Sequence, residues 1–135
     1  HGLIAGFAIM TRPVRIQLSR KKGWRLPQNT VNVARPGEWG NPVKVGGCAR
    51  IEICTPSSTT MVEATITQAI AVEFFREYIA GALRTKPDLL APLRGASCAC
   101  WCHLCEKHST GKPLGVKCND CAPCHADVLL EFANQ

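Results

Sequence analysis

Two C-x2-C pairs, Cys102/Cys105 and Cys118/Cys121, constrain this chain more than any other feature, with twelve residues between them. Two thiolates three positions apart grip one ion from a single tight turn. Two such turns complete a tetrahedron, the geometry of a closed structural zinc site. Gly111, Pro113 and Gly115 make the connecting loop easy to turn. The stretch from Cys98 to His125 carries seven of the nine cysteines and three of the four histidines. The pattern predicts one zinc ion held by Cys102, Cys105, Cys118 and Cys121. His108 follows Cys105 by three residues and is an alternative to Cys102 as the fourth ligand. Disulfides, redox use and inert buried thiols are the rival readings. Against disulfides stand an odd cysteine count, C-x2-C turns that make poor frameworks, and an apolar start, HGLIAGFAI, without a basic leader.

At 135 residues the chain is expected to be one domain with a real core. Residues 1–9 read as an extension, native or artificial, before a natural start at Met10. Residues 10–135 read as a single domain with a zinc-binding loop over 102–121. The net charge of +6 and a pI near 9.0 point to polyanionic partners or anionic ligands. No apolar run reaches the length of a membrane span, so no membrane partner is expected. Reduced cysteines in a metal pattern fit the cytoplasm.

Val14, Ile16 and Leu18 alternate with Arg15 and Gln17, the period of a half-buried strand with arginine outward. A basic loop follows; six of the fourteen residues from Arg12 to Arg25 are Arg or Lys. Val31 to Val33 read as a second strand. The segment ARPGEWGNP, residues 34–42, excludes regular structure. Residues 46–62 read as a loop carrying Cys48 and Cys54, both unligated. Thr65 and Gln68 resemble a capping box opening a helix. Its face is led by Ile66, Ile70, Phe74 and Tyr78 and widened by Ala69, Val72, Phe75, Ile79 and Leu83. A short helix is expected from Pro87 to Leu93 and a buried strand from Ser97 to Cys102, with Trp101 on the face of Ala99. A last helix opens near Pro123 or His125, with Val128, Leu129 and Phe132 inward. This order predicts an α/β fold: a small layered sheet with helices and an inserted zinc-binding loop.

Several motifs in this order resemble a phage and bacterial domain family of unassigned function. They are Arg25-Leu26-Pro27, the R-P-x-x-W-G-N-P segment from Arg35 to Pro42, Leu93-Arg94-Gly95, Cys100-Trp101-Cys102, and Cys124-His125-Ala126-Asp127. The resemblance covers about residues 12–134. It implies that simpler members join C-W-C to C-H-A-D by a short loop. On that comparison the segment with Cys105, His108, Cys118 and Cys121 is a metal-stapled insertion, which strengthens the His108 alternative. It leaves Cys100, Cys102, Cys124, His125 and Asp127 as an older set, and it implies no activity.

Three function classes follow. The leading one is a zinc-stabilised domain that binds nucleic acid or a phosphorylated nucleotide-like ligand. Its candidate residues are Arg20, Lys21, Lys22, Trp24, Arg25, Arg35, Trp39 and Asn41, because arginine pairs with phosphate and tryptophan stacks on bases. The second is an enzyme acting on such a ligand, with Cys124, His125 and Asp127 at a helix N-terminus where a thiol pKa falls. The third is an accessory protein that binds a host protein. The ligand-binding and enzyme readings meet in one expectation: Arg35, Trp39, Asn41, His125 and Asp127 should surround a single concave site.

Overall fold

A computed structural model describes residues 12–135. The expectations for residues 1–9 and Met10 fall outside the described residues. In chain order the elements are β1 (Val14–Gln17), β2 (Thr30–Asn32), β3 (Cys48–Thr55), β4 (Ser58–Thr65) and α1 (Gln68–Thr85). A 3-10 turn (Ala91–Leu93), β5 (Ser97–Cys100), a second 3-10 turn (Glu106–His108), β6 (Lys112–Pro113) and α2 (His125–Ala133) complete it. This is the α/β layered domain that the element order predicts.

The main sheet has the order β2-β5-β1-β6. Its first three strands are parallel, with Val31 opposite Cys98 and Arg15 opposite Cys98 from the other side. Strand β6 runs antiparallel along the β1 edge. The ladder continues past both outer parallel strands, where Leu18 N–H donates to the Cys100 carbonyl and Val33 N–H to the Ala99 carbonyl, each at 2.9 Å. Strand β5 is central, and Cys98 and Ala99 are both fully buried, as expected of a strand covered on both faces. Helix α2 supplies Val128, Leu129 and Leu130 to the core, and α1 supplies Phe75 and Ile79.

Local structure departs from the sequence reading in several places. The expected helix from Pro87 to Leu93 is a 3-10 turn at Ala91–Leu93, and the strand from Ser97 ends at Cys100, not Cys102. Residues 48–65 form a β-hairpin, not a loop. Thr55 Oγ1 accepts the Ser58 N–H at 3.0 Å and closes its turn. Residues 58–63 of β4 are exposed throughout, so the strand has no buried face to impose an apolar alternation. Thr65 consequently ends β4, and the N-cap of α1 is Thr67, whose side chain accepts from Ile70 N–H at 3.2 Å. The buried face of α1 is Ala71, Val72, Phe75 and Ile79, whereas Tyr78 is 57% exposed. Two apolar rows lie side by side on this helix, and periodicity alone does not say which faces inward. Finally, Arg15 is 1% exposed, buried instead of outward. It enters an ion pair, which is how a charged side chain becomes tolerable in an interior.

Candidate metal centres and an adjoining cavity

Among the described residues, two groups of side chains have the composition and spacing to hold metal ions: Cys105, His108, Cys118 and Cys121, and separately Cys100, Cys102 and Cys124. In the first, Cys105 and Cys118 Sγ are 3.8 Å apart, and His108 Nδ1 lies 3.3 Å from Cys105 Sγ and 3.5 Å from Cys121 Sγ. A tetrahedron with metal–sulfur bonds of about 2.3 Å and a metal–nitrogen bond of about 2.0 Å has edges of roughly 3.8 Å and 3.6 Å. These three separations match such edges within a few tenths of an ångström, and all four atoms lie within 4.8 Å of one another. The 3-10 turn Glu106–His108 brings His108 back over Cys105. Cys105 N–H donates to Cys121 Sγ at 3.3 Å, an outer contact that favours the thiolate. A backbone hydrogen bond at Asp120 lowers the Cys118 thiol pKa.

Cys102 does not belong to this group. The main sheet releases the chain after Cys100, and Cys102 turns towards Cys124, the N-cap of α2. The atoms that converge around the loop include His108 Nδ1 and not Cys102 Sγ. All nine cysteines are free thiols, and Cys48 and Cys54 are exposed on the hairpin.

In the second group Cys100 and Cys102 Sγ are also 3.8 Å apart. Gln68 Nε2 donates to Cys102 Sγ at 3.3 Å and to the Pro123 carbonyl at 2.7 Å. Ala126 N–H donates to Cys124 Sγ at 3.4 Å. Hydrogen bonds from Cys102 and then Cys124 hold the Cys100 pKa low. The same bonds to Cys100 push those of Cys102 and Cys124 up. Cys98 is different: burial, then the charge of Asp127, pushes its thiol up to about 12. It is a core residue.

Cys100 and Cys102 line a cavity of about 300 Å³, together with Arg35, Asn41, Gln68, Trp101 and His125. It sits at the carboxyl ends of the parallel strands and the N-terminus of α2, where α/β folds gather ligands. Arg35, Asn41 and His125 thus share a concave site, as expected. Trp39 and Asp127 do not line it. Trp39 borders a separate hollow with Phe75, Tyr78 and Leu89. Asp127 pairs with Arg15 at 2.8 Å and Lys112 at 3.2 Å beneath a hollow of about 450 Å³. The Asp127 carboxylate is thus taken up by two cations, while Arg15 Nε is buried without a hydrogen-bond partner.

Two cavity residues are committed to the backbone. Asn41 Nδ2 donates to the Ala71 carbonyl at 3.0 Å, and its Oδ1 accepts from Val43 N–H at 2.9 Å, so it pins the W-G-N-P loop to α1. His125 Nε2 donates to the Val33 carbonyl at 2.7 Å, and its Nδ1 lies 3.8 Å from Cys124 Sγ. Gly40 lets the loop fold back on itself, because a Cβ there would lie 2.9 Å from Arg35 Cα.

Of the basic-loop candidates, Arg20, Lys21, Lys22 and Arg25 are exposed, while Trp24 and Trp39 pack partly against the core. The exposed indole is Trp101, at 45%, with the Arg20 guanidinium 4.8 Å above its ring. Sequence reasoning placed Trp101 inside a buried strand. Its position between two cysteines at the strand end was the available signal. No described helix is long and apolar enough to cross a membrane.

Fold and site define a small α/β domain with two cysteine-based groups that could hold metal ions, each bordering a hollow. The family model described as "Domain of unknown function (DUF4326)" matches residues 16–135, and the chain belongs to that family. No curated protein and no solved structure matches the chain.

Proposed function

We propose that this is a zinc-stabilised domain that binds a phosphorylated nucleotide-like ligand in the cavity beside Trp101. Zinc is the ion for Cys105, His108, Cys118 and Cys121, because a closed set of three thiolates and one imidazole is a structural zinc set. The cavity carries the ligand reading: it joins an exposed indole, the exposed Arg35 and polar groups anchored on rigid elements. Trp101 would stack a base, Arg35 would meet the phosphate, and Arg20 would add positive charge at the indole. A volume of about 300 Å³ suits one nucleotide-sized molecule, not a polymer lying on a flat face. Titration calorimetry with the ribonucleoside monophosphates tests the reading. Binding of at least one, weakened tenfold or more by Trp101→Ala, is expected. Absence of binding by all of them, with folded protein, rejects it.

A further inference from the structure

We infer that Cys100, Cys102 and Cys124 hold a second metal ion whose fourth coordination position opens into the cavity. The inference does not depend on what the cavity binds. Two separate segments deliver the sulfurs: the end of β5 with the turn after it, which carries Cys100 and Cys102, and the N-cap of α2, which carries Cys124. Their Sγ atoms lie within 4.8 Å of one another, and the Cys100–Cys102 separation of 3.8 Å is a tetrahedral edge. Disulfide formation within the trio would leave one thiol over.

The surroundings are those of metal-bound thiolates. Gln68 Nε2 and Ala126 N–H each donate to a sulfur, as outer partners of ligating groups do. The N-terminus of α2, a helix of nine residues, adds its partial positive charge at Cys124. Soft thiolates in a tetrahedral arrangement select a zinc-class ion. Closed structural sites take four protein ligands, whereas three ligands with one free position is the pattern of sites that bind exogenous molecules. Here Cys100 and Cys102 themselves form part of the cavity wall, beside Arg35, Gln68 and His125. A molecule in the cavity reaches the ion directly.

Cobalt(II) titration of the metal-free full chain tests this, since cobalt reports thiolate ligation and coordination number by its absorption. Wild type is expected to take up two ions per chain with thiolate charge-transfer bands. Cys100→Ser/Cys102→Ser is expected to take up one. His108→Ala/Cys118→Ser, which leaves the trio intact, is also expected to keep one. Azide should shift the cobalt ligand-field bands of wild type and of the His108/Cys118 variant, and leave those of the Cys100/Cys102 variant unchanged. Uptake of a single ion by wild type, or no uptake by the His108/Cys118 variant when folded, overturns the second site. Bands of the His108/Cys118 variant that ignore azide overturn the open position. The wild-type stoichiometry decides even if the Cys100/Cys102 variant does not fold.

Discussion

Arg15 and Asp127 meet at 2.8 Å although 112 residues separate them in the chain. Arg15 projects from β1, and Asp127 stands in the first turn of α2. The same guanidinium donates through Nη2 to the carbonyls of His103 at 3.1 Å and Ala122 at 2.6 Å. These two residues flank the metal loop at its entry and exit, and Ala122 N–H closes the neck by donating to the His103 carbonyl at 2.9 Å. One buried arginine therefore ties the sheet, the loop neck and the helix start together.

Arg15→Met keeps an unbranched apolar stem and removes all three contacts. Breaking a buried charge pair while two carbonyls lose a donor is expected to cost about 3 kcal/mol. Lys112, 3.2 Å from Asp127, limits the loss by keeping a cation beside the carboxylate. Urea unfolding checks this. An unchanged midpoint would show that the pair contributes nothing net.

Gly40→Ala is expected to distort the W-G-N-P loop. The added Cβ would stand 2.7 Å from Arg35 Cγ and 2.9 Å from Arg35 Cα, and the backbone atom cannot swing aside as a side chain does. Overpacking of this kind costs about 1–3 kcal/mol. The measurable outcome is a lower thermal midpoint together with weaker nucleotide binding, because Arg35 moves. Wild-type values for both would show that the loop adjusts freely.

The cavity and the basic loop make different demands on a ligand. Arg35→Ala is expected to weaken mononucleotide binding about tenfold, the loss of roughly one charge-assisted hydrogen bond. Lys21→Ala/Lys22→Ala, on the exposed loop, is expected to change it less than about twofold at physiological salt. Calorimetry on the two variants separates the contributions. The reverse ranking would move the binding surface to the loop and favour a polyanionic polymer, whose affinity falls steeply with salt.

Much of this was legible in the sequence, and the failures have physical causes. The α/β order and the metal character of the Cys98–His125 stretch follow from periodicity and cysteine spacing. The association of Arg35 with His125 follows from motifs that both fall at strand and helix ends. The side chain that accompanies Cys105, Cys118 and Cys121 is not legible in the sequence, because C-x2-C spacing treats every pair as one unit. Here the first pair is split: Cys105 belongs to the loop and Cys102 to the end of the sheet. Arg15 was assigned outward because alternation marks it polar, and alternation cannot see a carboxylate 112 residues away. Asp127 was considered for catalysis on its nearness to His125 in sequence, whereas its side chain serves Arg15 and Lys112. Trp24 and Trp39 are residue types that stack on bases, and how far each leans on the core depends on side chains distant in sequence.

Chelation offers a test of the loop as a unit. The strong binding of structural zinc, about 10–16 kcal/mol in small modules, is released as folding free energy when the ion leaves. Hydrogen exchange after chelation is expected to lose protection first at amides bonded within the loop, such as His108 and Gly111. The amides of Phe75 and Leu129 in the helical core are expected to exchange later. Simultaneous loss at both would show that the loop and body unfold together.

Cysteine alkylation of the folded Cys102→Ser variant, mapped by mass spectrometry, tests the ligand set of the loop most directly. Cys48 and Cys54 are exposed and serve as internal markers of a reactive thiol. Cys105 and Cys118 are only partly covered, so burial alone does not protect them. With His108 completing the site, Cys105, Cys118 and Cys121 stay unmodified in this variant until a chelator is added, and His108→Ala exposes them without one. Rapid alkylation of Cys105 and Cys118 in Cys102→Ser, with protection retained in His108→Ala, would contradict the His108 site and restore Cys102 as the fourth ligand.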